Sequence, residues 1–344
     1  MRCGPPAAVS TPPLDADRSL DEPRCAVDSI YWVISRHCNQ RCPHCYNDSA
    51  PGAPGLVPEQ ASRCIANLPD ADDVAVDRII ISGGEVLAWP DLLFHALAGL
   101  YDRYRDRTKL MVQTNGDLLD AVVLDRLLAH HVCRIDVSSM DRYHPRTTLD
   151  RREHLTRLLE SRGMVEAGSI ARTAGREIEA GRRLTYAFWG ATEDLWIGAL
   201  WPRGRARRLG LTKARPEDDF CARWSGAKHF LDYRGEGCEV NVQLADVYPC
   251  CPMTCRPIGD LLTEPLIAML DRCAEHPVYR ALNEGRPEKM GEYLGISESE
   301  GIRRTRELGN QCLWCDEFFT RHAAGLLHQS GVTARGDVDL APLR

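Results

Sequence analysis

Arg36-His37-Cys38-Asn39-Gln40-Arg41-Cys42-Pro43-His44-Cys45-Tyr46 sets three cysteines as C-x3-C-x2-C, directly after the apolar run Ile30-Tyr31-Trp32-Val33-Ile34. Thiolates are the soft ligands that iron–sulfur clusters need. Three of them in one compact loop reach three corners of a cubane and leave the fourth iron without a protein ligand. An open metal position is what a catalytic site keeps and a structural site closes. A zinc knuckle is the competing reading. It fits poorly, because these three thiols lack a matched fourth nearby.

Working outward, short apolar runs alternate with longer helical stretches. Strands are expected at 30–35, 78–82, 109–113, 133–138, 183–189 and 195–200, and helices at 58–68, 90–105, 118–131, 149–162 and 174–181. Pro90 opens its helix, where a missing N–H costs least. Leu92, Leu93, Ala96, Leu97, Leu100 and Tyr104 then recur at helical spacing. Such alternation predicts an α/β fold with a parallel sheet and right-handed crossovers, six units suiting an open barrel better than a closed one of eight. The expected division is a tail at 1–27, a barrel at 28–210, a smaller cysteine-rich module at 211–330 and a tail at 331–344.

Chemistry-bearing residues gather at the carboxyl ends of the strands, where α/β sites form. The second strand ends in Ser82-Gly83-Gly84-Glu85, and its two glycines allow close approach to the backbone. The third ends in Gln113-Thr114-Asn115-Gly116. On the fourth, Asp136 and Ser138 share a face by period-2 alternation. They either bind a hydroxyl of a ligand or cap the following loop, from which Asp141, Tyr143 and His144 can reach inward. Trp201-Pro202-Arg203-Gly204-Arg205-Ala206-Arg207-Arg208 is rich in arginine but lacks interleaved aromatics. A second cysteine set comprises Cys221, Cys238, Cys250, Cys251, Cys255, Cys273, Cys312 and Cys315. Cys64, Cys133 and Cys273 read as small buried hydrophobes.

The 344 residues are 44% apolar and 27% charged, ordinary for a globular chain. A net charge of -6 gives no general attraction to nucleic acid or an anionic membrane. No apolar run approaches a membrane span, and the first residues lack a signal-peptide core. Fifteen cysteines at metal-like spacings suit a reduced cytoplasm better than a disulfide framework.

The cysteine loop, its trailing Tyr46, the Gly-Gly-Glu strand end and the Thr-Asn-Gly strand end together resemble the radical S-adenosylmethionine (radical SAM) superfamily. The resemblance spans roughly residues 30 to 320. It implies a partial (β/α)6 barrel in which Cys38, Cys42 and Cys45 hold a [4Fe–4S] cluster. The open iron would then chelate S-adenosylmethionine (SAM). Contacts to SAM are implied for Tyr46, Gly83, Gly84, Glu85, Asn115, Ser138 and Arg205, with Val86 standing where a proline is common. Val247-Tyr248-Pro249-Cys250 and Cys312-Leu313-Trp314-Cys315 resemble the auxiliary modules called SPASM and twitch. The longer SPASM run of cysteines is absent, which implies one auxiliary [4Fe–4S] cluster in a twitch-like C-terminal module. Its implied ligands are Cys238, Cys250, Cys312 and Cys315, with Cys221 or Cys251 able to displace one. Zinc remains an alternative occupant of this second set.

The resemblance implies hydrogen abstraction from carbon but not a substrate. Without a peptide-recognition domain, the chain is similar to the group acting on sugars and aminocyclitols in antibiotic biosynthesis. A carbinol radical there has two fates. Hydrogen return from a thiol, with Cys251, Cys221 or Cys255 as donor, gives an epimer. Loss of an electron to the auxiliary cluster and of a proton to Asp136, His144 or an arginine gives a ketone, as in a dehydrogenase. Surplus cysteines near the module favour the epimerase. The expected partners are a small sugar or aminocyclitol substrate and an electron donor such as flavodoxin or ferredoxin, with no nucleic acid and no membrane. A ribosomal-peptide maturase is a further alternative. A non-enzymatic cluster carrier would need neither Gly-Gly-Glu nor Tyr46.

Overall fold

The computed structural model describes residues 25–138, 140–144, 148–167, 184–190, 200–212, 216–235 and 238–330. The helix expected at 174–181, most of the strand expected at 195–200, and both distal tails lie outside the described residues. The strands are β1 (Ala26–Ser35), β2 (Ala75–Gly83), β3 (Lys109–Thr114), β4 (Val132–Val137), β5 (Val165–Glu166), β6 (Thr185–Phe188), β7 (Glu239–Gln243), β8 (Asp246–Tyr248) and β9 (Gly259–Asp260). The helices are α1 (Pro58–Ala66), α2 (Pro90–Tyr104), α3 (Ala121–Ala129), α4 (Leu149–Glu160), α5 (Gly204–Arg208), α6 (Phe220–Trp224), α7 (Leu266–Ala274), α8 (Pro277–Asn283), α9 (Glu298–Leu308) and α10 (Gln311–Ser330).

One sheet runs through the molecule in the order β5-β6-β4-β3-β2-β1-β7-β8-β9. From β5 to β7 every pairing is parallel; β8 and β9 return antiparallel. Residues beyond 210 therefore extend the same sheet, because β7 docks beside β1 with Ser29 opposite Glu239 and Tyr31 opposite Asn241.

Period-2 alternation gives the sheet two unlike faces. Ile30, Trp32 and Ile34 of β1, Ile79 and Ile81 of β2, and Ile135 and Val137 of β4 join the apolar core. Opposite them, Ser29, Tyr31, Arg78, Ser82, Gln113 and Asp136 line a cavity. The core face is closed by helices such as α2, whose Leu92, Leu93, Ala96, Leu97, Leu100 and Tyr104 are all buried. Each buried leucine there contributes about 1.5–3 kcal/mol. Tyr104 completes the seam by donating its hydroxyl proton to the Pro69 carbonyl at 2.8 Å. Asp120 and Thr148 cap α3 and α4 through the Val123 and Arg151 N–H groups.

β1 starts at Ala26, earlier than its apolar run, because Ser29 faces the cavity and interrupts the hydrophobic pattern. At Cys133 the register slips, so that Leu110 faces Val132 while Met111 faces Arg134. This bulge leaves Cys133 in the apolar core, its thiol donating to the Leu110 carbonyl at 3.5 Å. Cys64 on α1 and Cys273 on α7 are likewise core residues.

Candidate active site

The cysteine loop leaves β1 at the carboxyl edge of the sheet and is braced by three neighbouring elements. At the end of β2, the Gly84 and Glu85 N–H groups donate to the Ser35 and His37 carbonyls, both at 2.8 Å. A Cβ on Gly84 would come within 2.7 Å of the Arg36 carbonyl oxygen and closer still to that of His37. Glycine is needed there because backbone meets backbone. At the end of β3, Asn115 donates its amide to Asn39 at 2.8 Å, and Gln40 donates to Asp117 at 2.5 Å. From α5, the Arg205 guanidinium donates to the Cys42 carbonyl at 2.9 Å and the Ser49 carbonyl at 2.7 Å.

Glu85 takes a different place from the Gly-Gly pair. Its carboxylate is fully buried and accepts from the Leu87 N–H at 2.9 Å, the Thr114 hydroxyl at 2.7 Å and the Asn115 N–H at 2.6 Å. Burial pushes its pKa up to about 6 against these three donors. The side chain thus ties the ends of β2 and β3 together.

Cys38, Cys42 and Cys45 all line one cavity of about 240 Å³, somewhat below the usual range for small-ligand pockets. Gly83, Gly84, Asn115, Ser138, Arg205 and Tyr46 line it too. So do Asp136, Asp141 and His144. Tyr46 packs edge-on against Trp201, ring centroids 4.3 Å apart. Desolvation raises the thiols of Cys38, to about 11, and Cys42, to about 12; the neighbouring thiols add to this, and Arg205 opposes it. A metal that takes these ligands must displace those protons.

His44, inside the C-x2-C turn, meets His144 edge-on at 4.6 Å and stacks on Tyr143 at 5.1 Å. Burial, with the nearby His144 next, lowers its pKa to about 4, so it is neutral near pH 7. His144 is held by Asp141, Nδ1 to Oδ1 at 2.9 Å. One ligand atom each from Cys42, His44 and His144 lie within 4.8 Å of one another. Asp136 is ion-paired with Arg134 at 2.9 Å in the buried interior. Its neighbour Ser138 donates its backbone N–H to the Thr114 carbonyl at 2.9 Å.

A second cysteine group forms where α6, the loop after β8 and the first turn of α10 converge. Cys312 and Cys315 are pushed well up, first by burial and then by Cys250 and Cys221. The Cys221 thiol is raised by burial and then by Cys250. Cys250 is lowered, by the Cys255 thiol 3.9 Å away and by the Met253 and Thr254 N–H groups, against burial. Cys255 also neighbours Cys315. The structure does not bring Cys238 to this group. Its thiol neighbours are Asp28, Asp232 and Glu239, and its carbonyl accepts from the Asp28 and Ser29 N–H groups. Alternation along β7 turns Cys238 and Val240 to the core face, while Glu239 and Asn241 face Cys251 across the hairpin. Cys251 packs with Trp201, Phe220, Cys312 and Tyr46, between the two cysteine sites, and donates to Asn241 Oδ1 at 2.5 Å.

Residues 32–160 match the family described as the Radical SAM superfamily. They form a radical SAM domain. The chain is 31% identical over 111 residues to the AdoMet-dependent heme synthase of Methanosarcina barkeri (strain Fusaro / DSM 804), covering 32% of this chain and 30% of that protein. It is 35% identical over 89 residues to the pre-heme d1 synthase of Dinoroseobacter shibae (strain DSM 16493 / NCIMB 14021 / DFL 12), 25% of this chain and 20% of that one. The chain thus spans less than a third of either relative's length. Among solved structures it is similar to BtrN in complex with AdoMet and 2-DOIA, with 14% identity and a TM-score of 0.49 over 79% of this chain and 90% of that one.

A radical SAM domain takes SAM and a [4Fe–4S] cluster, and the residues present fit both. The donor set is three thiols on one cavity wall. Around them, Trp189 Nε1, His44 Nδ1, the Asn47 side-chain oxygen Oδ1 and the Ser49 hydroxyl are buried polar atoms without a hydrogen-bond partner, as expected of a wall awaiting a polar ligand. No described helix is long and apolar enough to cross a membrane. Sequence reasoning missed His44, Trp189, Arg78 and Glu239 as wall residues. Alternation along β2 would have found Arg78, which shares its face with Ser82.

Proposed function

We propose that this radical SAM protein epimerises a carbinol carbon of a small polyhydroxylated substrate of the sugar or aminocyclitol kind. When bound, the cluster and SAM supply a 5′-deoxyadenosyl radical that removes the hydrogen atom from that carbon. Gly83, Gly84, Asn115, Ser138 and Arg205 are the residues proposed to seat SAM beside the cysteine loop, with Tyr46 packed beneath it. Asp136 and the Asp141–His144 pair are proposed to orient the substrate hydroxyls.

The reading rests on one observation. Cys221, Cys250, Cys312 and Cys315 neighbour one another and are proposed as ligands of one auxiliary [4Fe–4S] cluster, with Cys255, 3.9 Å from Cys250, as an alternative ligand, whereas Cys251 packs between Tyr46 and Cys312. Its thiol meets Glu239, a cavity residue, at 3.5 Å. Hydrogen return would break the Cys251 S–H bond and form the new C–H bond. The sulfur radical left behind would be restored by an electron from a donor such as flavodoxin or ferredoxin and by a proton. A second reading, oxidation to a ketone, is favoured by the His144–Asp141 pair as a candidate base.

The test is product mass after anaerobic turnover in D2O with a panel of aminosugar and oligosaccharide antibiotic precursors. Epimerisation predicts one deuterium gained at unchanged oxidation level, and loss of that product in Cys251→Ala. A product two hydrogens lighter would establish the dehydrogenase instead. Undiminished deuterium uptake by Cys251→Ala would remove this thiol from the reaction.

A further inference from the structure

Among the described residues, the floor of the cavity carries a cation without a counter-ion. Arg78 lies on β2, roughly 13 Å along the strand below Ser82 and far from the cysteine loop. It lines the cavity yet is only 9% exposed. Its Nε is buried without a hydrogen-bond partner, and among the described residues its guanidinium enters no ion pair. The contrast within the same barrel is direct: Arg134, on β4, is paired with Asp136 at 2.9 Å. In register with Arg78 stands Ser29, 1% exposed, and beyond it Glu239, whose carboxylate meets Cys251 rather than Arg78.

A guanidinium removed from water without an anion is costly, and the fork geometry of arginine suits a planar or tetrahedral oxyanion. We infer that Arg78, with the Ser29 hydroxyl beside it, binds an oxyanion carried by the substrate. The substrate class is thereby a carbinol-bearing carboxylate or phosphate, held at the floor by its anionic group while its alcohol carbon points up to the cysteine loop. This rests on the radical SAM reading given above and narrows it. The residues proposed to seat SAM lie at the strand ends, roughly 13 Å along β2 from Arg78.

Three hexoses differing only at C6 probe the floor: glucose, glucuronate and glucose 6-phosphate. Each is titrated into the anaerobically reconstituted full-length protein, with SAM bound, and followed by calorimetry and thermal shift. The expected result is that one of the two anions binds at least about tenfold tighter than glucose. Arg78→Gln should erase that preference, and Arg78→Lys should keep part of it and so guard against misfolding. Which anion wins distinguishes carboxylate from phosphate. Equal binding of all three sugars, or an anion preference that survives in Arg78→Gln, overturns the inference. Loss of SAM affinity in Arg78→Gln with anion preference intact would reassign the arginine to SAM. Release of 5′-deoxyadenosine by the wild-type protein in the absence of sugar is measured in parallel, since its failure would sink the radical reading instead.

Discussion

Gly84→Ala is the substitution whose consequence the geometry fixes most tightly. The added Cβ would stand 2.7 Å from the Arg36 carbonyl oxygen and nearer still to the His37 carbonyl oxygen, against an ordinary contact of 3.4 Å or more. Both obstacles are backbone, so no side chain can swing aside. The strand end and the cysteine loop must part by about 1 Å, breaking the bonds from the Gly84 and Glu85 N–H groups to Ser35 and His37. Overpacking of this kind costs about 1–3 kcal/mol. Cys38 follows His37 directly, so the displacement reaches a proposed iron ligand, and a misplacement of that size lowers turnover about 100-fold. The assay pairs iron content after anaerobic reconstitution with the rate of 5′-deoxyadenosine release. Gly235→Ala serves as the control, because a Cβ there meets nothing nearer than 4.0 Å. A Gly84→Ala protein with unaltered iron content, stability and rate would refute the reasoning that this glycine is required by close approach.

Two further outcomes follow from the same geometry. Cys312→Ala/Cys315→Ala is expected to lose about half the iron of the parent while the loop cluster keeps its own; elemental analysis and the cluster's absorbance check this, and full iron retention would show that α10 holds none. Glu85 is raised from 4.5 to about 6, so the folded chain holds its proton more tightly than the unfolded chain between those values. The stability contributed by that proton is complete below about pH 4.5 and is lost as pH rises through about 6, a change of about 2 kcal/mol. Denaturant titrations across this window should show that decline in the parent and its absence in Glu85→Gln; parallel curves would mean that the carboxyl is not buried as described.

The legible parts of this molecule are those where local sequence carries both the geometry and the chemistry. Cys38, Cys42 and Cys45 fall within a span of eight residues, so their convergence needs no long-range information. Gly83-Gly84 and Thr114-Asn115-Gly116 follow apolar strands, and the structure sets both strand ends against the same loop. The helix faces were equally readable, as the buried side of α2 shows.

What sequence could not supply was pairing at a distance. β7 joins β1 across some 200 residues, and nothing local in Glu239-Val240-Asn241-Val242-Gln243 names that partner. The choice among the second cysteines meets the same limit. Cys238 looks as good as Cys221 by spacing, until the alternation of β7 turns its thiol away. Glu85 marks a different limit. A carboxylate after two glycines at a strand end suggests a ligand contact, and only the packed structure reveals three protein donors already spending it.

The most direct test of the central claim is 5′-deoxyadenosine release by the anaerobically reconstituted chain given SAM and a strong reductant. The account predicts steady release from the parent and none from Cys45→Ala, with iron lost from the loop while the second group keeps its share. Release that persists in Cys45→Ala, or a fully loaded parent that never cleaves SAM, would contradict it.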